Sequence, residues 1–121
     1  MNIILFYSSL LHGLIHLIII SLYNPPILLT INCITGVTSS IINHGSSNNI
    51  IKYTDRFVML SGIIIDVYYL LENTDLFIGY YFLFNGIFNY FLAKITKINL
   101  FHVFAHTNVT MVHFILALNN K

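Results

Sequence analysis

The sequence predicts an all-α, polytopic membrane bundle of about five transmembrane helices, with residues 1–121 forming a single integral membrane domain. Of the 121 residues, 57% are hydrophobic and only 7% are charged, whereas soluble domains carry about a quarter charged residues. The apolar residues form long runs, and a bilayer crossing needs about 20 of them. Isoleucine is abundant, but backbone groups in a bilayer must be satisfied within their own segment, which favours helices over strands.

The first two predicted spans are separated by a pair of prolines. Span one covers about 3–22 and stops before Pro25 and Pro26, which cannot continue a helix. It lacks a basic leading region and a small-residue cleavage site, so we expect it to be retained and not removed as a signal peptide. Span two covers about 27–44, and the polar segment Gly45-Ser-Ser-Asn-Asn49 after it is typical of a loop.

The remaining three spans are also bounded by short polar segments. Span three covers about 55–71 and ends before Glu72-Asn-Thr-Asp75. Span four covers about 76–93 and is closed by Lys94-Ile-Thr-Lys97, and span five covers about 98–118. The connections are too short for a second domain.

The basic residues predict an orientation. Most of them flank the two loops on one side of an alternating path: Lys52, Arg56, Lys94 and Lys97. The other side carries Glu72, Asp75 and only Lys121. The positive-inside rule therefore predicts a cytoplasmic N-terminus and an outside or lumenal C-terminus. The formal net charge of +1, without a basic patch, argues against nucleic acid as a partner.

Polar groups from three spans fall at the predicted cytoplasmic depth. Ser40-Ile-Ile-Asn-His44 closes span two, Asp55 begins span three, and His102-Val-Phe-Ala-His106 opens span five. Ionisable groups are costly in a bilayer and are usually there for function. His102 and His106 are four residues apart and share a helix face. Three protein ligands with an open fourth position are typical of catalytic zinc, so we predict that His44, His102 and His106 bind Zn²⁺.

Two further residues are candidates for catalysis at this metal. Zinc makes water acidic enough to form hydroxide near neutral pH, and Asp55 is placed to take up the water proton. Ser40 lies one turn before His44 and is placed to donate a hydrogen bond to a developing oxyanion. Each residue also has a plainer interpretation, because Asp55 resembles a helix cap and serines often pack between membrane helices.

The other polar residues predict structural roles. Cys33 is the only cysteine, which excludes an intrachain disulfide and argues against a cysteine-based zinc site. We interpret His12, His16 and His113 as histidines satisfied within the bundle, and expect His113 to tolerate glutamine. Asp66 is expected to face the opposite interface or a helix partner.

The order Ser-x-x-x-His, Asp, His-x-x-x-His on separate helices resembles the CREST superfamily, which includes alkaline ceramidases, adiponectin/progestin receptors, hemolysin III-like proteins and proteins that remodel GPI anchors. The segments Asn43-His-Gly-Ser-Ser-Asn48 and Tyr53-Thr-Asp-Arg-Phe57 are similar to the second and third helices of these proteins, and Leu100-Phe-His-Val-Phe-Ala-His106 to their last helix. The resemblance implies a zinc-dependent hydrolase of a membrane lipid amide or ester. It implies zinc ligands at His44, His102 and His106, with Asp55 and Ser40 around the metal-bound water.

The chain departs from that superfamily in its number of helices. Superfamily members usually have seven, and this chain offers five. Losing two crossings preserves the orientation of the last helix, so the site can still assemble. The acyl chamber would then be open or be completed by a second copy of the chain, which makes a homo-oligomer a further expected partner.

Two other functions use the same residues. A haem- or quinone-associated membrane anchor subunit would use histidines from two helices as axial ligands, and it gives no role to Ser40 or Asp55. A noncatalytic, receptor-like membrane protein would hold the zinc as a structural ion. Metal content and turnover distinguish the three.

Overall fold

The computed structural model describes residues 1–73 and 76–120, and over these residues the chain is a bundle of five helices without strands. The helices are α1 (Ile3–Tyr23), α2 (Ile27–Gly45), α3 (Asn49–Glu72), α4 (Phe77–Thr96) and α5 (Asn99–Asn119). The predicted all-α fold class is confirmed. By length and composition, α1, α2 and α5 are able to cross a membrane.

Side chains and backbone turns fix the ends of several helices. The Asn2 side chain accepts a hydrogen bond from the Leu5 N–H at 3.2 Å and caps α1. Asn24 and Lys97 end α1 and α4 in the left-handed conformation, with φ of 45° and 61°, a common way to terminate a helix. Pro25 and Pro26 then separate α1 from α2, as predicted.

The start of α3 differs from the prediction. The helix begins at Asn49 and not near residue 55, because the Asn48 side chain caps it by accepting from the Ile50 N–H at 2.8 Å. Its first turns carry exposed polar residues such as Lys52 and Thr54. An apolar run marks only the part of a helix that suits lipid, so it misses a polar first turn. The predicted orientation also relied on Asp75 and Lys121, which lie outside the described residues.

The helix neighbours follow chain order only in part. Within the described residues, α5 packs against both α1 and α4, and α2 packs against α1 and α3. The consecutive helices α3 and α4 are not among the extensively packed pairs. Gly86 brings α4 close to α5, since a Cβ there would lie 3.2 Å from the Asn108 Cβ, as is typical of small residues between membrane helices.

The densest apolar packing lies at the end of the bundle away from His44 and His102. Its buried residues are Leu29, Cys33, Tyr69, Leu70, Leu83, Val112 and Leu116. The outward faces of all five helices expose large apolar side chains, including Phe57 and Ile64 of α3 and Phe84 and Phe88 of α4. Such extensive exposed apolar surface marks a membrane or interaction surface.

Asn2 holds three helix ends together at the opposite end of the bundle. Its backbone N–H donates to the His44 carbonyl at 3.0 Å. Its side-chain amide donates to the Asn99 side-chain oxygen at 2.9 Å. The start of α1, the end of α2 and the start of α5 therefore lie side by side, which brings the candidate metal ligands to one depth.

Candidate metal centre

His44, His102 and His106 form a compact group, here called the three-histidine cluster. One ring nitrogen of each lies within 4.8 Å of those of the other two. The ring centroids are 5.0 Å apart for His44 and His102, 5.6 Å for His44 and His106, and 4.8 Å for His102 and His106. A tetrahedral zinc ion with bonds of about 2.0–2.1 Å holds its ligand nitrogens about 3.4 Å apart. The ligand atoms are therefore up to about 1.4 Å further apart than in a bound zinc site, a difference that rotation of the rings could close.

The Nε2 atom of His44 is the polar atom of the cluster that most needs a partner. His44 is buried, with 7% of its surface exposed. Its Nε2 atom has no hydrogen-bond partner within the described part of the chain. Burying an unsatisfied polar atom costs about 1–3 kcal/mol. A metal ion would satisfy this atom, and the residues present therefore fit zinc.

Serines from two helices surround His106. Ser8 Oγ lies 3.3 Å from Nδ1 of His106, and Ser40 Oγ lies 3.4 Å from Nε2. Ser40 also shares a hydrogen bond of 3.0 Å with Ser9. A neutral imidazole has one donor and one acceptor nitrogen. When Nδ1 donates to Ser8, the Nε2 atom beside Ser40 is free to ligate a metal.

The sequence predicted Ser40 at this site but not Ser8 or Ser9. Adjacent serines near the start of an apolar helix have no distinctive spacing. Their position becomes meaningful only when α1 is known to pack against both α2 and α5.

Asp55 is held by two residues of α2, one of which directly precedes His44 in the chain. Its carboxylate accepts hydrogen bonds from Ser39 Oγ at 2.8 Å and from the Asn43 side-chain amide at 2.7 Å. Ser39 and Asn43 are four residues apart and share a helix face. Asp55 makes no hydrogen bond to the three-histidine cluster in the described structure, so it is not placed as a direct ligand. Each carboxylate oxygen retains a lone pair for a further donor.

A cavity of about 370 Å³ is lined by residues of all five helices and reaches the polar groups. Asp55, Ser40, His102 and His106 line one part of it. Apolar side chains line much of the remainder, among them Val58, Met59, Ile63, Leu83 and Ile87. Leu60 and Phe91 also line it and are each 58% exposed. The cavity therefore opens to the apolar outside of the bundle between α3 and α4.

Deeper in the same cavity lies a second buried polar group. His16 Nε2 and His113 Nδ1 are joined by a hydrogen bond of 2.8 Å, and His113 Nε2 lies 3.1 Å from an oxygen of Asp66. Asp66 therefore faces a helix partner and not the interface. The sequence-based expectation that His113 tolerates glutamine is not supported, because that change would remove the imidazole paired with a carboxylate that is only 2% exposed.

The chain has no match among protein-family models, curated proteins or solved structures.

Proposed function

We propose that this chain is a zinc-dependent hydrolase embedded in a membrane, acting on the amide or ester bond of a lipid. The main support is the unsatisfied, buried Nε2 of His44 next to the imidazoles of His102 and His106. Three neutral nitrogen ligands suit Zn²⁺ and leave a coordination position for water or substrate. Bound there, zinc would supply Lewis-acid activation of the water and of the scissile carbonyl.

The residues around the cluster have separate tasks in this proposal. Asp55, fixed by Ser39 and Asn43, accepts the proton of the attacking water and later returns it to the leaving group. Ser40 turns its hydroxyl from His106 toward the substrate and donates to the oxyanion that develops on the carbonyl. Ser8 accepts from Nδ1 of His106 and so orients the ring, as the outer partners of metal-bound histidines generally do.

The cavity supports a lipid as the substrate. Its polar part holds the proposed catalytic groups, and its apolar part suits an acyl chain. The opening between α3 and α4 faces the surface at which lipid would surround the bundle. An acyl chain could enter there sideways and bring its amide or ester carbonyl to the three-histidine cluster.

The geometry favours this function over haem ligation. Two axial histidines require a flat macrocycle between them. In the three-histidine cluster, a third imidazole lies within 4.8 Å of the other two ligand atoms, in the space that the macrocycle would need. The receptor-like alternative uses the same zinc site as the proposed hydrolase. It differs in predicting that zinc binds without any hydrolysis of lipid.

The test is hydrolysis by the purified chain. A ceramide and a phosphatidylcholine, supplied in mixed micelles, provide an amide and an ester, and release of fatty acid is measured. We expect zinc-loaded protein to hydrolyse one of them, and chelated protein to be inactive until zinc is restored. Bound zinc without turnover on either lipid would contradict hydrolysis and favour the receptor-like alternative.

We also propose that all five helices cross the membrane, with the three-histidine cluster toward the cytoplasmic side. Four basic residues lie near the start of α3 or the end of α4, at the same end of the bundle as the cluster: Lys52, Arg56, Lys94 and Lys97. Under the positive-inside rule, this end faces the cytoplasm. Labelling Ser47→Cys in a Cys33→Ala chain should succeed from the cytoplasmic side of sealed vesicles. Labelling only from the opposite side would overturn the orientation.

A further inference from the structure

We propose that this chain has a second metal site, formed by His16, Cys33 and His113 and distinct from the three-histidine cluster. We call these residues the thiolate cluster. One ligand atom of each lies within 4.8 Å of the others, and all three residues are buried. They come from three helices, α1, α2 and α5. Two imidazoles and one thiolate form a donor set that binds Zn²⁺ or Cu²⁺.

The hydrogen bonds around the two imidazoles already have the pattern of a metal site. Histidines that bind metals usually donate their second ring N–H to a carboxylate or a backbone carbonyl. His16 Nδ1 lies 2.7 Å from the His12 carbonyl oxygen, to which it can only donate. His113 Nε2 lies 3.1 Å from the Asp66 carboxylate. These contacts leave His16 Nε2 and His113 Nδ1 facing each other as the two candidate ligands.

A shared proton now joins the two nitrogens that the ion would bind. The 2.8 Å hydrogen bond between His16 Nε2 and His113 Nδ1 needs one proton between the two nitrogens. A metal ion that replaced this proton would need the two nitrogens about 3.4 Å apart, so the rings would move slightly apart while their outer nitrogens kept their own partners. Cys33, which is 2% exposed, would add the third ligand as a thiolate.

The charges favour a divalent ion. One divalent ion, the Cys33 thiolate and the Asp66 carboxylate sum to zero. Neutrality matters because the surroundings are apolar and an unpaired buried charge is costly. Asn32 also supports Asp66, since its amide donates to an Asp66 oxygen at 2.9 Å. The presence of only one cysteine argues against a site built mainly of cysteines. It does not argue against a site in which Cys33 is joined by two imidazoles.

The two clusters are too far apart to form one binuclear centre. His113 follows His106 by seven residues on α5, which corresponds to about 10 Å along a helix. Paired catalytic metals lie about 3.5–4 Å apart. The thiolate cluster would therefore bind its ion independently, and its test does not depend on the hydrolase proposal.

The test is metal binding by the purified, metal-free full-length chain in detergent micelles. Zn²⁺ and Cu²⁺ are added separately and counted by elemental analysis after dialysis. Co²⁺ serves as a spectroscopic probe, because a cobalt–thiolate bond gives a charge-transfer absorption that imidazole ligands do not. Cys33 is the only cysteine of the chain, so any such absorption must come from it.

Three variants separate the two clusters. We expect Cys33→Ser to lose one ion per chain together with the thiolate absorption, and His44→Gln to lose the other ion while the absorption remains. Asp66→Asn should weaken binding at the thiolate cluster by about 10- to 100-fold, the usual effect of removing an outer partner. His12→Gln is the matched control, since only its backbone carbonyl serves this site, and it should keep the absorption.

Two results would overturn the proposal. One is a wild-type chain that binds cobalt without thiolate absorption. The other is a metal content that Cys33→Ser and a second variant, Cys33→Ala, both leave unchanged. If instead the three-histidine cluster binds no metal, the wild-type chain holds one ion with the thiolate absorption, and His44→Gln has no effect. Failure at one cluster is thus distinguishable from failure at the other.

Discussion

The three-histidine cluster and the thiolate cluster are built from similar residues but differ in how their polar atoms are satisfied. In the three-histidine cluster, His44 Nε2 is buried without a hydrogen-bond partner in the described structure. In the thiolate cluster, both nitrogens of His16 and of His113 have hydrogen-bond partners. An unsatisfied cluster costs stability until a ligand binds, whereas a satisfied one stabilises the helix packing without a ligand.

This difference predicts opposite responses to substitution. Changes in the three-histidine cluster should remove metal and activity while leaving the fold of the metal-free protein almost unaffected. Changes in the thiolate cluster and its partner Asp66 should destabilise the metal-free protein.

Replacement of His102 or His106 with alanine should abolish zinc binding at the three-histidine cluster and reduce lipid hydrolysis to the background rate. Each histidine supplies one of only three protein ligands, and two are too few for the usual zinc site. Zinc content and fatty-acid release would be measured together. His12→Gln is the control, since His12 is buried and its ring lies 5.8 Å from that of His106, yet it is not a proposed ligand. Unchanged zinc in both alanine variants would contradict the site assignment.

Replacement of Asp55 with asparagine should leave zinc in place and lower turnover by about 10²- to 10⁴-fold, the usual contribution of a general base. The amide cannot accept a proton from water, although it keeps the size of the carboxylate. Glu72→Gln is the matched control on the same helix, because Glu72 is exposed and accepts a hydrogen bond from Tyr68. Zinc loss in Asp55→Asn would show instead that Asp55 is a ligand.

Replacement of Ser40 with alanine should lower turnover by about 10²-fold, as expected for the loss of one oxyanion donor. Ser40 is 3.4 Å from His106 Nε2, so its hydroxyl is beside the proposed ion. Ser9→Ala is the control, because Ser9 hydrogen-bonds to Ser40, whereas in the described structure only Ser40 of the two contacts His106. Equal losses in both variants would indicate that the serine pair supports packing and not the oxyanion.

The five helices could be predicted from the sequence because length, apolarity and proline positions are local properties. The position of His44, His102 and His106 at one end of the bundle could also be predicted, since the alternating direction of successive helices determines it. The pairing of Asp66 with His113 could not be predicted from the sequence. It requires α3 and α5 to be neighbours, and five helices of similar apolarity allow many arrangements around a bundle. For the same reason, the sequence did not predict that Cys33 lies close to His16 and His113.

Replacement of Asp66 with asparagine gives the smallest expected effect and completes the comparison, because it repeats the Asp55 substitution at the other cluster. Asparagine cannot provide the charge that pairs with His113, and if its oxygen accepts from Asn32, its NH2 group replaces the oxygen that now accepts from His113. Leaving a buried donor unsatisfied costs about 1–3 kcal/mol.

Denaturant unfolding of the metal-free protein in micelles should show that loss for Asp66→Asn and little change for Asp55→Asn, because the Asp55 carboxylate is only half-buried. Lipid hydrolysis should show the reverse order, since Asp66 has no proposed contact with the substrate carbonyl. If both variants lose stability equally and neither loses turnover selectively, the proposed division between a ligand-dependent cluster and a self-satisfied cluster is wrong.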